Sequence, residues 1–198
     1  ATHRAAHLHV SAIDVVVDLR DAKETTKTNY PVTSTLTLTS DEERTFIDIA
    51  GEVKEVLLNG QPHAFDDDED RVWVGDLPVG ETITLEVRAL ASYSRSGEGL
   101  HRYTDPEDGE VYLYTQFEPN DAHRAWPCVD QPDVKPEWTF HVIAPAGWVV
   151  SSNGVETTVE VVDDSGALRH DFTATRPLSS YITAIVAGPW AVIDGGTW

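Results

Sequence analysis

The sequence predicts an all-β fold: a β-sandwich, or a related layering of antiparallel and mixed sheets, with one very short helix. Two observations carry that expectation. Apolar residues recur at period two in segment after segment, which places them on one face of an extended chain. Helical spacing of apolar residues is almost absent, with one short exception. Composition sets the bounds. The 198 residues, 40% of them hydrophobic, suit one large β domain and exclude a disordered chain.

"TSTLTLTS" (33–40) sets Leu36 and Leu38 on one side of a strand, and "TFIDIA" (45–50) repeats the pattern with Phe46 and Ile49 near its ends. The acidic run "DDDED" (66–70) lacks the glycine and closing glutamate of a calcium loop, so a solvated loop tip is expected. "RVWVGDLPVGETITLEVRALASY" reads as strand, Pro–Gly turn, strand. In its second strand Ile83, Leu85, Val87, Ala89 and Ala91 share a side. "TTVEVVDDSGALRHDFTAT" reads as a hairpin turning at "DDSG", and "SYITAIVAGPW" as a buried strand. The helical exception is "PNDAHRAW" (119–126), with Asn120 or Asp121 placed to cap it and Pro127 to stop it. No internal repeat or flexible linker interrupts the chain, so residues 1–198 are read as a single all-β domain.

The formal net charge is −20, from 14 basic and 34 acidic residues. Nucleic acid is excluded as a partner, because neutralising phosphates requires clustered Lys and Arg. Anionic membrane surfaces are disfavoured on the same ground, and no window reaches the roughly 18 apolar residues of a membrane helix. The acidity fits a well-solvated surface, or a mild attraction for cationic ligands such as free amines. The N-terminus "ATHRAAHLHV" has no signal-peptide apolar core and no initiator methionine, which points to processing or to a piece of a longer protein. A lone cysteine, Cys128, cannot form an internal disulfide. It fits a reducing compartment, and a cytoplasmic location is expected.

Few motifs carry chemistry. His7 and His9 would point the same way on a strand, with His3 nearby, but no acidic or thiol ligand stands at a useful spacing. They are read as exposed terminal histidines, and no metal ligand is assigned. H-E-x-x-H, C-x-x-C, G-x-S-x-G and a Gly-rich phosphate loop are all missing, and "RSGEGLHR" (95–102) reads as a plain loop. Cys128 is read as a buried structural thiol rather than a nucleophile served by His123.

The segment 111–118 is more informative. Val111, Leu113, Thr115 and Phe117 fall on one face, and Tyr112, Tyr114, Gln116 and Glu118 on the other. The second face is either a sheet surface in water or the wall of a pocket. In a pocket, the carboxylate would receive a ligand ammonium and the amide would orient a neighbouring group.

"YLYTQFEPNDAHRAWPCVDQPDVK" (112–135) resembles the signature of the N-terminal domain of the aminopeptidase N family of zinc metallopeptidases. That signature has a TQFE-like strand and then D-A-R-R-A-F-P-C-x-D-E-P. "EVLLNG" (55–60), "YSRSGEGLHRY" (93–103), "VVSSNG" (149–154) and "FTATRPLSSYITAIVAGPW" (172–190) come in the family's order, so the resemblance covers nearly the whole chain. Four positions depart from the pattern. His123 stands where an Arg is common, Trp126 replaces a Phe, and Val129 and Gln131 sit in the C-F-D-E-P element.

The resemblance implies an all-β domain lying against a thermolysin-like catalytic domain of the same polypeptide. That other domain would carry zinc, H-E-x-x-H and a G-x-M-E-N motif, none of which is in this chain. It implies that Glu118 binds the free α-ammonium group of a peptide N-terminus, and that Gln116 lines the pocket for the first side chain. Tyr114 would flank them, and 119–132 would brace the strand end. The chain alone would then be inactive and free of zinc. Two other classes stay open: a stand-alone sugar- or protein-binding module using Tyr112 and Tyr114, and a purely structural domain.

Overall fold

A computed structural model describes residues 2–193 of the chain. The first elements are α1 (Thr2–His7), β1 (Leu8–Asp18), β2 (Asn29–Ser40), β3 (Thr45–Asp48), β4 (Gly51–Leu58) and β5 (Gln61–Pro62). Then come β6 (Phe65–Asp68), β7 (Arg71–Val74), β8 (Thr82–Ser92), β9 (Gly99–Thr104) and β10 (Val111–Gln116). The rest are β11 (Glu137–Ala144), β12 (Val149–Ser152), β13 (Glu156–Val161), β14 (Leu168–Phe172) and β15 (Ile185–Gly188).

The strands form three sheets. The eight-stranded sheet has the order β13-β14-β11-β1-β2-β8-β4-β5. It is mixed, because β1 runs parallel to β11 and antiparallel to β2. The four-stranded sheet runs β12-β15-β10-β9 and the three-stranded one β3-β7-β6, both antiparallel throughout. The all-β, layered, mixed-sheet expectation is met.

The period-two faces land where alternation puts them. Leu36 and Leu38 of β2, and Ile83, Leu85, Val87, Ala89 and Ala91 of β8, are all buried. Ile47, Val72 and Val74 of the small sheet and Leu113 and Ile185 of the four-stranded sheet join them in one cluster. All three sheets therefore share a core. A chain of aromatic rings runs through it: Trp138 and Phe140 stack at 6.0 Å, Phe140 meets Trp126 at 5.1 Å, and Trp126 meets Phe117 edge-on at 4.9 Å.

Several expectations need correction. The helix expected over 119–126 is only a 3-10 turn, Ala122–Arg124. Between two prolines the segment is too short to repay helix nucleation. Asp121 caps nothing; its carboxylate takes the Arg124 Nε–H at 2.7 Å. The short helix lies instead at the N-terminus, where tertiary contacts rather than propensity hold it: Arg4 is paired with Asp48 at 2.8 Å and lies over the Phe46 ring.

The acidic run is largely strand. Asp66–Asp68 belong to β6, and only Glu69 and Asp70 form the exposed tip of the β6–β7 hairpin, Glu69 with φ 54°. The Pro–Gly turn after β7 leads to a different sheet rather than closing a hairpin. The late apolar run divides into a 3-10 turn, Ser180–Ile182, and β15. The 156–172 hairpin forms as expected, its turn closed by the Ser165 N–H on Asp163 Oδ1 at 2.9 Å and by Gly166 at φ 79°.

Strand β1 escaped the periodic reading because a register shift between Val10 and Ala12 breaks its alternation. Leu8 and Val10 point inward before the shift, and Ile13, Val15 and Val17 after it.

Phe140 touches the Trp138 and Trp126 rings and has no exposed surface. Phe140→Ala is expected to destabilise the fold by about 3–5 kcal/mol. A urea titration with an unchanged midpoint would contradict this placement.

Candidate functional site

Strand β10 is central in the four-stranded sheet, with β9 on one side and β15 on the other. Val111 and Leu113 point into the core, and Thr115 is half-buried. The ladder ends at Gln116, but the alternation continues. Phe117 is 2% exposed, and Glu118 points outward beside the cis Glu118–Pro119 bond.

The three residues singled out in the sequence therefore lie on one outward face. The Glu118 carboxylate is exposed and makes no hydrogen bond or ion pair with any other described residue. The Gln116 side-chain amide is likewise exposed and unbonded. Tyr114, 39% exposed, rests its ring against His101 at 5.0 Å. Tyr112 is committed elsewhere: its hydroxyl donates to Asp108 at 2.7 Å and its ring packs edge-on against Trp190.

The register of β9 brings in a residue that the sequence pattern did not single out. His101 stands directly opposite Tyr114, and Gly99 opposite Gln116. His101 Nδ1 accepts the Gly97 N–H at 3.1 Å, which fixes the ring. Gly99 has φ 69°, and a Cβ there would lie 3.1 Å from Arg124 Cβ, so only glycine sits there without strain. The fragment "RSGEGLHR" is thus partly strand, and it supplies one flank of this face.

The chain beyond Glu118 is heavily braced. The Phe117 carbonyl accepts the Asp121 N–H at 2.9 Å, and the Phe117 ring is buried on Trp126. Tyr30 donates to the Ala125 carbonyl at 3.0 Å. Cys128 exchanges backbone hydrogen bonds with Asp48 at 2.8 and 3.0 Å, and Ala50 donates to the His123 carbonyl. Ser179 Oγ donates to the Pro132 carbonyl at 2.6 Å.

At the centre lies Asp130, whose side chain is 3% exposed. It accepts the His123 Nδ1–H at 2.8 Å, the His123 backbone N–H at 3.1 Å and the Ser180 Oγ–H at 2.6 Å. Its own N–H donates to Asp48 Oδ2 at 2.9 Å, and Arg4 neutralises Asp48. Burial pushes the Asp130 carboxyl up, but the bonds from His123 and Ser180 outweigh it and the net shift is downward. The hydrogen bond to Asp130 raises the His123 imidazole against its own burial.

The departures from the family pattern fall in this brace. Trp126, Val129 and Gln131 are buried, and the Gln131 amide oxygen accepts from Arg4 at 3.3 Å. Cys128 is fully buried and its thiol is pushed well up by that burial, as a structural thiol requires. Of the terminal histidines, expected to be exposed, His3 and His9 are exposed and His7 is half-buried. His3 and His7 lie on one side of α1 and Glu42 is brought to them, whereas His9 starts down β1.

Residues 13–182 match the peptidase M1 N-terminal domain family. The chain belongs to that family. The matched span includes Tyr114, Gln116, Glu118 and the whole segment 119–132. This M1 domain is 38% identical over 195 residues to an aminopeptidase N of Streptomyces lividans, covering 96% of the chain and 22% of that relative. It is 32% identical over 124 residues to an aminopeptidase N of Haemonchus contortus, covering 61% of the chain and 13% of the relative. A mouse glutamyl aminopeptidase is 30% identical over 98 residues, 48% of the chain and 10% of the relative. The M1 domain thus spans about a fifth or less of the length of each.

Asp130→Ala strands the half-buried His123 imidazole and the buried Ser180 hydroxyl, and is expected to cost about 3–5 kcal/mol. The pH dependence of the pair has two limbs. The raised His123 contributes fully below its ordinary 6.5, and that contribution is lost as pH rises through its higher folded value. The lowered Asp130 contributes fully above its ordinary 3.8, and that contribution is lost as pH falls through its lower folded value. The stability difference between wild type and His123→Asn should therefore be greatest between these two ordinary values, as read by urea titrations across pH. A difference that does not vary with pH would remove the ion pair from the brace.

Proposed function

We propose that this chain is the substrate-reading part of a zinc-dependent aminopeptidase that removes residues from peptide N-termini. On this reading residues 1–198 act as one all-β unit against a catalytic domain of the same polypeptide. The single observation that carries it is the Glu118 carboxylate: exposed and unpartnered at the end of a rigidly held strand. An unpaired carboxylate on a fixed frame is the simplest receptor for an ammonium group.

Once a neighbouring surface shelters it, a charge-assisted bond from the substrate's α-ammonium contributes roughly 1.5–3 kcal/mol. Left exposed, the same pair contributes about 0–1 kcal/mol. Gln116, two residues earlier on the same face, lies next to the first side chain, and Tyr114 backs it. The role is one of positioning. Holding the amine end selects the first peptide bond over all others, and a misplacement of about 1 Å costs roughly a hundredfold in rate.

The catalytic zinc that the resemblance implies does not fit the residues of this face. The chain has no H-E-x-x-H, and among the described residues the one His/Glu group with metal-ligand proximity excludes Glu118. By itself the chain has no assigned base or metal at the site and is expected to hydrolyse no peptide.

Among the described residues no helix is long and apolar enough to cross a membrane. A cytoplasmic location remains part of the proposal, supported by the single, unbridged cysteine.

In the enzyme that contains this chain, Glu118→Ala should lower kcat/KM on free-amine dipeptides by at least roughly tenfold, equivalent to about 1.4 kcal/mol of binding to the transition state. Gln116→Ala should change the ranking of first residues more than the rate on the best one. Unaltered kinetics for Glu118→Ala on unblocked substrates would end the assignment.

A further inference from the structure

The N-terminal helix and the turn after β2 bring together three side chains that the function above does not use. His3 and His7 stand four residues apart on α1, on the same side of the helix. Glu42 reaches them from the loop between β2 and β3. One ligand atom from each lies within 4.8 Å of the others. We propose that His3, His7 and Glu42 bind a divalent cation of borderline softness, zinc being the best match. The ion would staple the N-terminal helix to the β2–β3 loop.

One of the three ligand pairs already stands at the spacing that a shared ion sets. His3 Nε2 and Glu42 Oε1 are 3.4 Å apart. A charge-assisted hydrogen bond closes to about 2.7–2.9 Å, so this pair is too far apart for a good one. Two ligands at about 2.0–2.2 Å from one tetrahedral zinc stand roughly 3.3–3.5 Å apart, which matches. The His3 and His7 rings are 4.6 Å apart and tilted at 42°, so they converge without stacking flat. Two imidazoles and one carboxylate suit zinc, with the remaining position open to water.

The loop that carries Glu42 is already held in place. The Asp41 N–H donates to the His7 carbonyl at 2.9 Å. Ser40 Oγ donates to the Glu42 carbonyl at 2.7 Å and accepts the Glu42 N–H at 3.1 Å. Little backbone ordering remains to oppose binding. The three side chains border a hollow of 310 Å³, which leaves room for an ion and its water.

Two cations border the same hollow, and both are engaged elsewhere. Arg4 is paired with Asp48 at 2.8 Å. Arg44 meets Asp66 at 3.3 Å and lies over the Trp73 ring at 4.7 Å. This centre is made of residues remote in sequence from Glu118. It departs from the expectation, drawn from the resemblance, that the chain alone is free of zinc; the aminopeptidase reading rests on Glu118 and does not depend on it.

The test compares zinc bound per chain, by competition with a chromogenic chelator, in the wild-type protein and in His3→Ala/His7→Ala. These positions are exposed or half-buried, so the variants should fold. Wild type should hold one more equivalent than the double variant. Either single His→Ala should weaken that equivalent at least roughly tenfold, and Glu42→Gln should also weaken it. His9→Ala should change nothing. Cobalt(II) at the same site should give the intense visible band of a tetrahedral ion, and zinc should raise Tm in wild type but not in the double variant. Equal stoichiometry and affinity in wild type and double variant would overturn the proposal. So would a loss on His9→Ala equal to that on His7→Ala.

Discussion

A carboxylate taken out of water must be met by enough donors, and that demand at Asp130 organises the region around the candidate site. An unpaired buried charge costs several kcal/mol, a large share of the roughly 5–15 kcal/mol that holds a domain folded. Asp130 is satisfied only when His123 and Ser180 converge on it. Its own N–H in turn finds Asp48, which Arg4 neutralises. One buried group thus ties together α1, the end of β3, the turn 122–124 and the turn that precedes β15. The short, irregular segment after Glu118 is held at several points by these bonds.

Hydrophobic burial does the complementary work. Phe117 is locked under Trp126, while its neighbour Glu118 has no bond to any described residue. The contrast within two consecutive residues arises from extended-chain alternation, which sends adjacent side chains to opposite faces. A core anchor on one side and a solvent-exposed carboxylate on the other fix where that charge stands. On the proposed reading the rigidity is what converts binding into selection of a single peptide bond, because the strength of one ion pair matters less than where it holds the substrate.

The N-terminal helix shows how far tertiary contacts override local preference. Six residues do not sustain a helix in water. Here Arg4 reaches across to Asp48 and Gln131, and the Asp41 N–H meets the His7 carbonyl. The histidines that looked like exposed terminal residues are consequently placed on one helical side, facing a glutamate from a distant turn. Read as a strand, the same stretch would have paired His7 with His9 instead.

The sequence by itself determined the class of fold, the inward faces of β2 and β8, the 156–172 hairpin and the outward line of Tyr114, Gln116 and Glu118. The faces are consequences of side chains alternating along one extended chain and the hairpin of its "DDSG" turn, local properties that need no knowledge of neighbours. It left β1 unseen because a single bulge breaks that alternation. Only the tertiary structure decided which strands share a sheet, that β7 and β8 do not, that His101 faces Tyr114, and that Asp130 meets Asp48 and Ser180 across 82 and 50 positions. Such meetings depend on strand order and register, which arise from the whole core closing at once and leave no local periodic trace.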